Sequence, residues 1–209
     1  MNILIDKLPH HVEIDGVKYQ INCDFRTSIR FELLIQESDL SIQDKVNQAL
    51  KLYFNEIPYN TKKAVEQIIW FYSCGASDKD KSSNDVATSS NFTQRAYSFE
   101  YDKNYIFSAF YQIYGIDLTK KDLHWWKFKA LFNSLTDDCL FSKIMYYRNV
   151  EINSKMSKEY QQHIRKLKEL YALPLTKTEQ KQVEEFENAL ANGDISQFEE
   201  GQSCNLMEV

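Results

Sequence analysis

Apolar and polar positions alternate from Val12 to Ile21, and the alternation turns at Asp15-Gly16. This predicts a β-hairpin, because glycine tolerates the positive φ of a tight primed turn. A two-stranded hairpin alone is marginal, so it should rest on helices. Beyond it the apolar period lengthens to that of helices. Asn22 or Asp24 would cap a helix over about 25–37, with Ile29, Leu33 and Gln36 on one face and Phe25 and Leu34 beside them. The run from Ser41 to Asp44 resembles a capping box and starts a helix to about Tyr53, burying Val46, Ala49, Leu50 and Tyr53. Asn60 or Thr61 caps a third helix, in which Ala64, Ile68, Ile69 and Tyr72 recur, widened by Trp70 and Phe71 and closed by Cys74-Gly75.

Residues 76–94 break the pattern: they are polar, aperiodic and have little to bury, as expected of a flexible linker. They divide an N-terminal part, residues 1–75, from a C-terminal helical part, residues 95–174. The second part either folds by itself or shares one core with the first. Tyr97, Phe99 and Tyr101 alternate like a short third strand near 97–101. A helix over 102–114 follows, with Tyr105, Ile106, Ala109, Phe110 and Ile113 on one face and Gly115 at its end. Thr119 or Asp122 should start the next, bearing Trp125, Phe128, Phe132 and Leu135. Thr136 should cap another, with Leu140, Ile144 and Tyr147 inward. Ser157 should cap a helix ending near Leu170, and Thr178 a last one bearing Val183, Phe186 and Leu190. The fold class is therefore mainly α (α+β): an N-terminal β-hairpin with a helical bundle, then a helix and loose acidic tail over 175–209.

The bulk composition agrees with a folded chain of 209 residues, 43% hydrophobic and 14% aromatic, with too few glycines and prolines for an all-β fold. No apolar run is long enough to span a membrane, and the first residues lack the form of a signal peptide, so the expected setting is cytoplasmic. Net charge is −5, but it is unevenly spread. Residues 176–209 carry eight acids against two lysines, whereas residues 120–168 carry eleven bases against five acids. Two independent solvated surfaces explain this. A sharper reading has the acidic tail, with Phe186 and Phe198, compete with a partner for the basic half.

Catalytic patterns are missing from the sequence. The glycines are isolated, so no phosphate loop exists, and neither a Gly-x-Ser-x-Gly elbow nor a His-Glu-x-x-His motif occurs. Cys23, Cys74, Cys139 and Cys204 are far apart and without a neighbouring histidine at metal-ligand spacing, so no metal site or cofactor is expected. Asp137-Asp138 read as helix-capping acids. His124 reads as a partly buried, hydrogen-bonded residue rather than a general base. Trp125 and Trp126 are adjacent, and one of them should stand exposed or sit in a groove, as part of a partner surface. Lys127 and Lys129 would flank it. On this reading Trp126→Ala should weaken partner binding without unfolding the chain. Basic residues among aromatics at 120–129 could meet nucleic acid, but the acidic total charge and the lack of a binding fingerprint disfavour it.

Several phrases in order carry a resemblance: Leu4 to Pro9, Val12 to Gly16, Asp24 to Thr27 with Phe31 to Leu34, Tyr97 to Glu100, Tyr114 to Leu118, His124 to Phe128, and Lys143 to Arg148. Together they resemble a small bacteriophage family named after a fifteenth gene product, over residues 1–174, with a variable insert at 76–94. The resemblance implies a tail-morphogenesis protein, encoded between the major tail protein and the tape measure. A gene in that position typically encodes a tail assembly chaperone. The partners it implies are the tape-measure protein, the major tail protein and other copies of the chain, in the cytoplasm of an infected or lysogenic host. It brings no catalytic residues. A structural component of the tail and a nucleic-acid-binding regulator are the alternatives.

Overall fold

A computed structural model describes residues 3–37, 39–76 and 95–175, with positions 180, 184 and 188. The chain divides into two compact units, Met1–Leu173 and Pro174–Val209. In the second, the Gln180 amide donates to the Leu175 carbonyl at 3.0 Å. Apart from Ala76, the segment read as a linker lies outside the described residues, as do Phe186 and Phe198; of the helix expected after Thr178, positions 180, 184 and 188 are described and are helical.

The first unit opens with the hairpin. β1 (His11–Ile14) pairs antiparallel with β2 (Val17–Gln20), Val12 opposite Tyr19. Asp15 and Gly16 take the turn at φ of 51° and 78°, both left-handed as a primed turn requires. Val12 and Ile14 enter the core. The Asp15 carboxylate pairs with Lys63 and accepts from Asn60, which ties the turn to the next layer.

Asp24 caps α1 (Phe25–Gln36) by accepting from the Arg26 N–H at 2.8 Å. Its fully buried residues are Phe25, Thr27, Ser28 and Phe31; of the expected face, Ile29, Leu33 and Leu34 are half-buried against the core and Gln36 is exposed. The small residues allow close packing with α2 (Ile42–Tyr53), and the Tyr53 hydroxyl donates to Ser28 Oγ at 2.9 Å. Ile29, Leu33 and Leu34 also line clefts at the margins. Ser41 caps α2 as read: its Oγ accepts from Asp44 N–H and donates to the Asp44 carboxylate. Asn60 caps α3 (Thr61–Tyr72), which buries Ala64, Ile68 and Phe71. Ile69, expected inward, is exposed.

Residues 97–101 form a turn, not a third strand. Ser98 Oγ accepts from the N–H groups of Glu100 and Tyr101, while the Asp102 carboxylate accepts from Ser98 N–H. Those local bonds occupy backbone donors that a strand would aim at a neighbour. α4 (Lys103–Tyr114) follows and ends at Gly115 in the left-handed region.

α5 (Trp125–Asn133) is capped by His124 rather than Thr119 or Asp122, and α6 (Leu140–Asn149) by Cys139 rather than Thr136. Asp117 serves its own turn, accepting from Thr119 N–H and hydroxyl. The inward face of α6 runs through Phe141, Ile144 and Arg148, so Leu140, expected inward, is exposed. α7 (Lys158–Leu170) is capped by Ser157. Rings from three helices make the centre of the core: Phe128 stacks between Phe25 and Phe110, at 4.9 Å from each. The core cluster draws on residues from both sides of 77–94.

Candidate functional site

The start of α5 is where the chemistry-bearing side chains converge. The N-termini of α1 and α5 are zipped together: Phe25 N–H donates to Leu123 O at 3.0 Å and Trp125 N–H to Cys23 O at 2.8 Å. Asp24 and His124 thus face each other across an antiparallel bridge. Arg26 holds the loop before α5, donating to the carbonyls of Leu118 and Lys121 and pairing with Asp24 at 3.0 Å.

Both tryptophans are buried, Trp125 at 0% and Trp126 at 4% exposure, so the expectation that one would stand exposed is wrong. The reason is the end of α3. The last carbonyls of a helix lack partners within it, and the indole Nε1–H groups of Trp125 and Trp126 donate to Tyr72 O and Phe71 O, each at 2.8 Å. Trp125 stacks on Tyr72 and Phe128, while Trp126 packs edge-on against Trp70. Gly75 lies beneath Trp126. A Cβ there would come 3.0 Å from the indole, and its φ is +77°, so both space and backbone demand glycine. Adjacent rings can both be buried here because they diverge into two niches at one helix end.

Lys127 points outward, and the Lys129 ammonium lies 5.9 Å from the Trp125 ring centre. The sequence-predicted residues of α5 are therefore neighbours with different orientations: rings in, Lys127 outward, and Lys129 half-buried against the Trp125 ring. Beneath them the Tyr72 hydroxyl donates to the Glu32 carboxylate at 2.5 Å. Burial pushes the Glu32 carboxyl above its ordinary pKa, and burial together with the Glu32 charge raises that of Tyr72.

His124 has both ring nitrogens engaged. Nδ1 accepts from Trp126 N–H at 3.1 Å, which fixes the proton on Nε2, and Nε2–H donates to Pro9 O at 3.0 Å. Burial lowers its pKa, so the neutral ring is favoured. His10 meets it edge-on, and His10 Nδ1 lies 3.2 Å from Cys23 Sγ. Sequence spacing could not reveal this group, because its members are separated by 13 and 101 positions.

A second polar centre was also missed. Arg148, 4% exposed, forms a two-pronged pair with Asp102, with N–O distances of 2.6 and 2.9 Å. It further donates to Tyr171 O and Ala96 O. Among the described residues no buried side-chain nitrogen or oxygen lacks a partner.

Two clefts open on the surface of the first unit. One is floored by Phe25, Phe99, Ile106 and Phe128, with Arg26 and Lys103 beside it. The other, about 510 Å³, runs between α1 and α2 and is lined by Leu33, Leu34, Leu40 and Leu52, with Arg30, Glu37, Gln48 and Lys51 around them. Among the described residues no helix is long and apolar enough to cross a membrane.

The model of the family described as Bacteriophage Gp15 protein matches residues 4–173. The chain belongs to this phage family. The match spans the described core from the residues before β1 to those after α7. None of the curated proteins and none of the solved structures compared with the chain matches it.

Proposed function

We propose that this Gp15-family chain is a phage tail assembly protein, a chaperone that binds the tape-measure protein and/or tail-tube subunits in the host cytoplasm. It acts by binding and not by catalysis. The family match over residues 4–173 carries the reading, through the tail-morphogenesis role the resemblance implies. The α1–α2 cleft supports it physically. Four leucines with charged side chains among them suit the apolar stripe of an amphipathic helix. Ile35 and Ile42, 51% and 84% exposed, extend apolar surface on the same two helices. The docking surface thus moves from Trp126, which is buried, to α1 and α2, where Arg30 and Lys51 supply a basic flank.

Co-expression with the adjacent tape-measure protein tests the reading. Soluble co-purification is expected, and it should be lost in the Ile35→Asp, Ile42→Asp double variant, whose exposed positions leave the core intact. An insoluble, unbound tape measure would refute the chaperone role. Presence of the chain in purified virions would favour a structural tail component instead.

A further inference from the structure

We infer that His10, Cys23 and His124 form a three-ligand site for a thiophilic divalent cation of the zinc class. They come from the segment before β1, the connection between β2 and α1, and the cap of α5. One ligand atom of each lies within 4.8 Å of the others. With zinc–sulfur and zinc–nitrogen bonds of about 2.3 and 2.0 Å, two tetrahedral ligands stand about 3.5 Å apart. The Cys23 Sγ to His10 Nδ1 separation of 3.2 Å is already close to that.

The remaining contraction falls to His10, whose ring is the exposed member of the three. The backbones of Cys23 and His124 are held by the bridge between the starts of α1 and α5. One sulfur and two imidazoles select zinc or cobalt(II) over magnesium or calcium, which prefer oxygen. Three protein ligands leave a fourth position for water.

Loading has a defined proton balance. Burial raises the Cys23 pKa, with a smaller contribution from the Asp24 carboxylate, so the thiol is protonated without metal. The S–H bond breaks, the sulfur–metal bond forms, and the proton leaves to solvent. His124 enters the coordination sphere through Nδ1, giving up the hydrogen bond from the Trp126 N–H, while Nε2–H goes on donating to Pro9 O and the ring stays neutral. The bond it keeps orients the ring, as partners beyond the ligands commonly do. The cation therefore acts as a clip that fastens the hairpin to the start of α5.

The test is titration of the metal-free full chain with cobalt(II), followed by competition with zinc. Wild type should bind one cobalt with a thiolate-to-metal charge-transfer absorption that zinc abolishes. That absorption should vanish in Cys23→Ser. Affinity should fall roughly tenfold or more in His10→Ala and in His124→Asn, a variant that keeps a cap acceptor. Circular dichroism confirms that each variant is folded. Absence of the charge-transfer band in folded wild type overturns the site, and so does its persistence in Cys23→Ser. Unchanged affinity in both histidine variants overturns the three-ligand assignment, because the thiol then binds alone.

Discussion

The start of α5 and the junction of α4, α6 and α7 solve the same problem with opposite materials. At the first, bulky rings fill space and their few polar atoms reach backbone carbonyls: the two indoles donate to Phe71 and Tyr72, and the imidazole to Pro9. At the second, a fully charged pair is buried, and Arg148 joins Asp102, Ala96 and Tyr171 in one network. A missing ring leaves a cavity. A missing charge leaves its partner ionised without compensation. The first region should therefore tolerate conservative change, and the second should not.

The largest effect is expected at the charged junction. Removing one member of a buried ion pair typically costs about 3–5 kcal/mol. Arg148→Met should lower the unfolding free energy measured in urea by an amount of that order, and Asp102→Leu likewise. Combining the two should restore much of the loss, since no unpaired charge remains. If each single variant is as stable as wild type, the junction is not held by this pair.

Trp126→Ala comes next, at about 3–5 kcal/mol for truncating a buried aromatic. It also strips the Phe71 carbonyl of its indole donor. This reverses the sequence-based expectation, in which the same change spares the fold. Trp126→Phe should cost less, because a ring still fills the niche above Gly75. Chemical unfolding of the two variants side by side measures the packing share of the loss.

The contrast between the regions also governs what could be read from sequence. The hairpin turn, the caps Asp24, Ser41, Asn60 and Ser157, and the glycine stop at 115 depend on local chemistry, and local chemistry is legible. Phe128 and Phe132 were legible through helical spacing. The pair of Arg148 and Asp102 was not: they are 46 positions apart, and a lysine- and arginine-rich stretch reads as solvated. The orientation of Trp126 depended on carbonyls at the end of another helix, 55 positions away. His124 as a cap escaped notice because imidazole is an uncommon choice beside Asp, Ser or Asn. The convergence of His10, Cys23 and His124 follows only from the bridge between the starts of two helices.

His124→Ala should cost about 1 kcal/mol, the typical value of a lost helix cap. In the metal-free chain its effect should depend on pH. Because the folded-state pKa is lowered, the unfolded state takes up the proton first as pH falls. The contribution is therefore present above the unfolded value of about 6.5 and is lost as pH falls through the lower folded value. His10 and Lys127 act in the same direction, since both disfavour a second positive charge. His124→Asn should keep the cap and flatten this limb when unfolding midpoints are compared between neutral and mildly acidic pH. An identical acid limb in that variant would place the titration elsewhere.

The smallest effect belongs to the outward side of α5, and for that reason it tests function most cleanly. Lys127 is exposed, and an exposed substitution away from caps and pairs usually changes stability by less than about 0.5 kcal/mol. Lys127→Glu should therefore unfold at the wild-type urea midpoint. Lys129 is half-buried, so Lys129→Met, which forfeits its place over the Trp125 ring, should cost somewhat more, on the order of 1 kcal/mol. Since Lys127→Glu leaves the rings beneath untouched, a loss of tape-measure capture in that variant reports on the surface itself. Weaker capture by Lys127→Glu at low salt, fading as salt rises, would mark this side of α5 as an electrostatic guide for an acidic segment. Equal capture at every salt concentration would leave the α1–α2 cleft as the docking surface and restrict α5 to holding the core together.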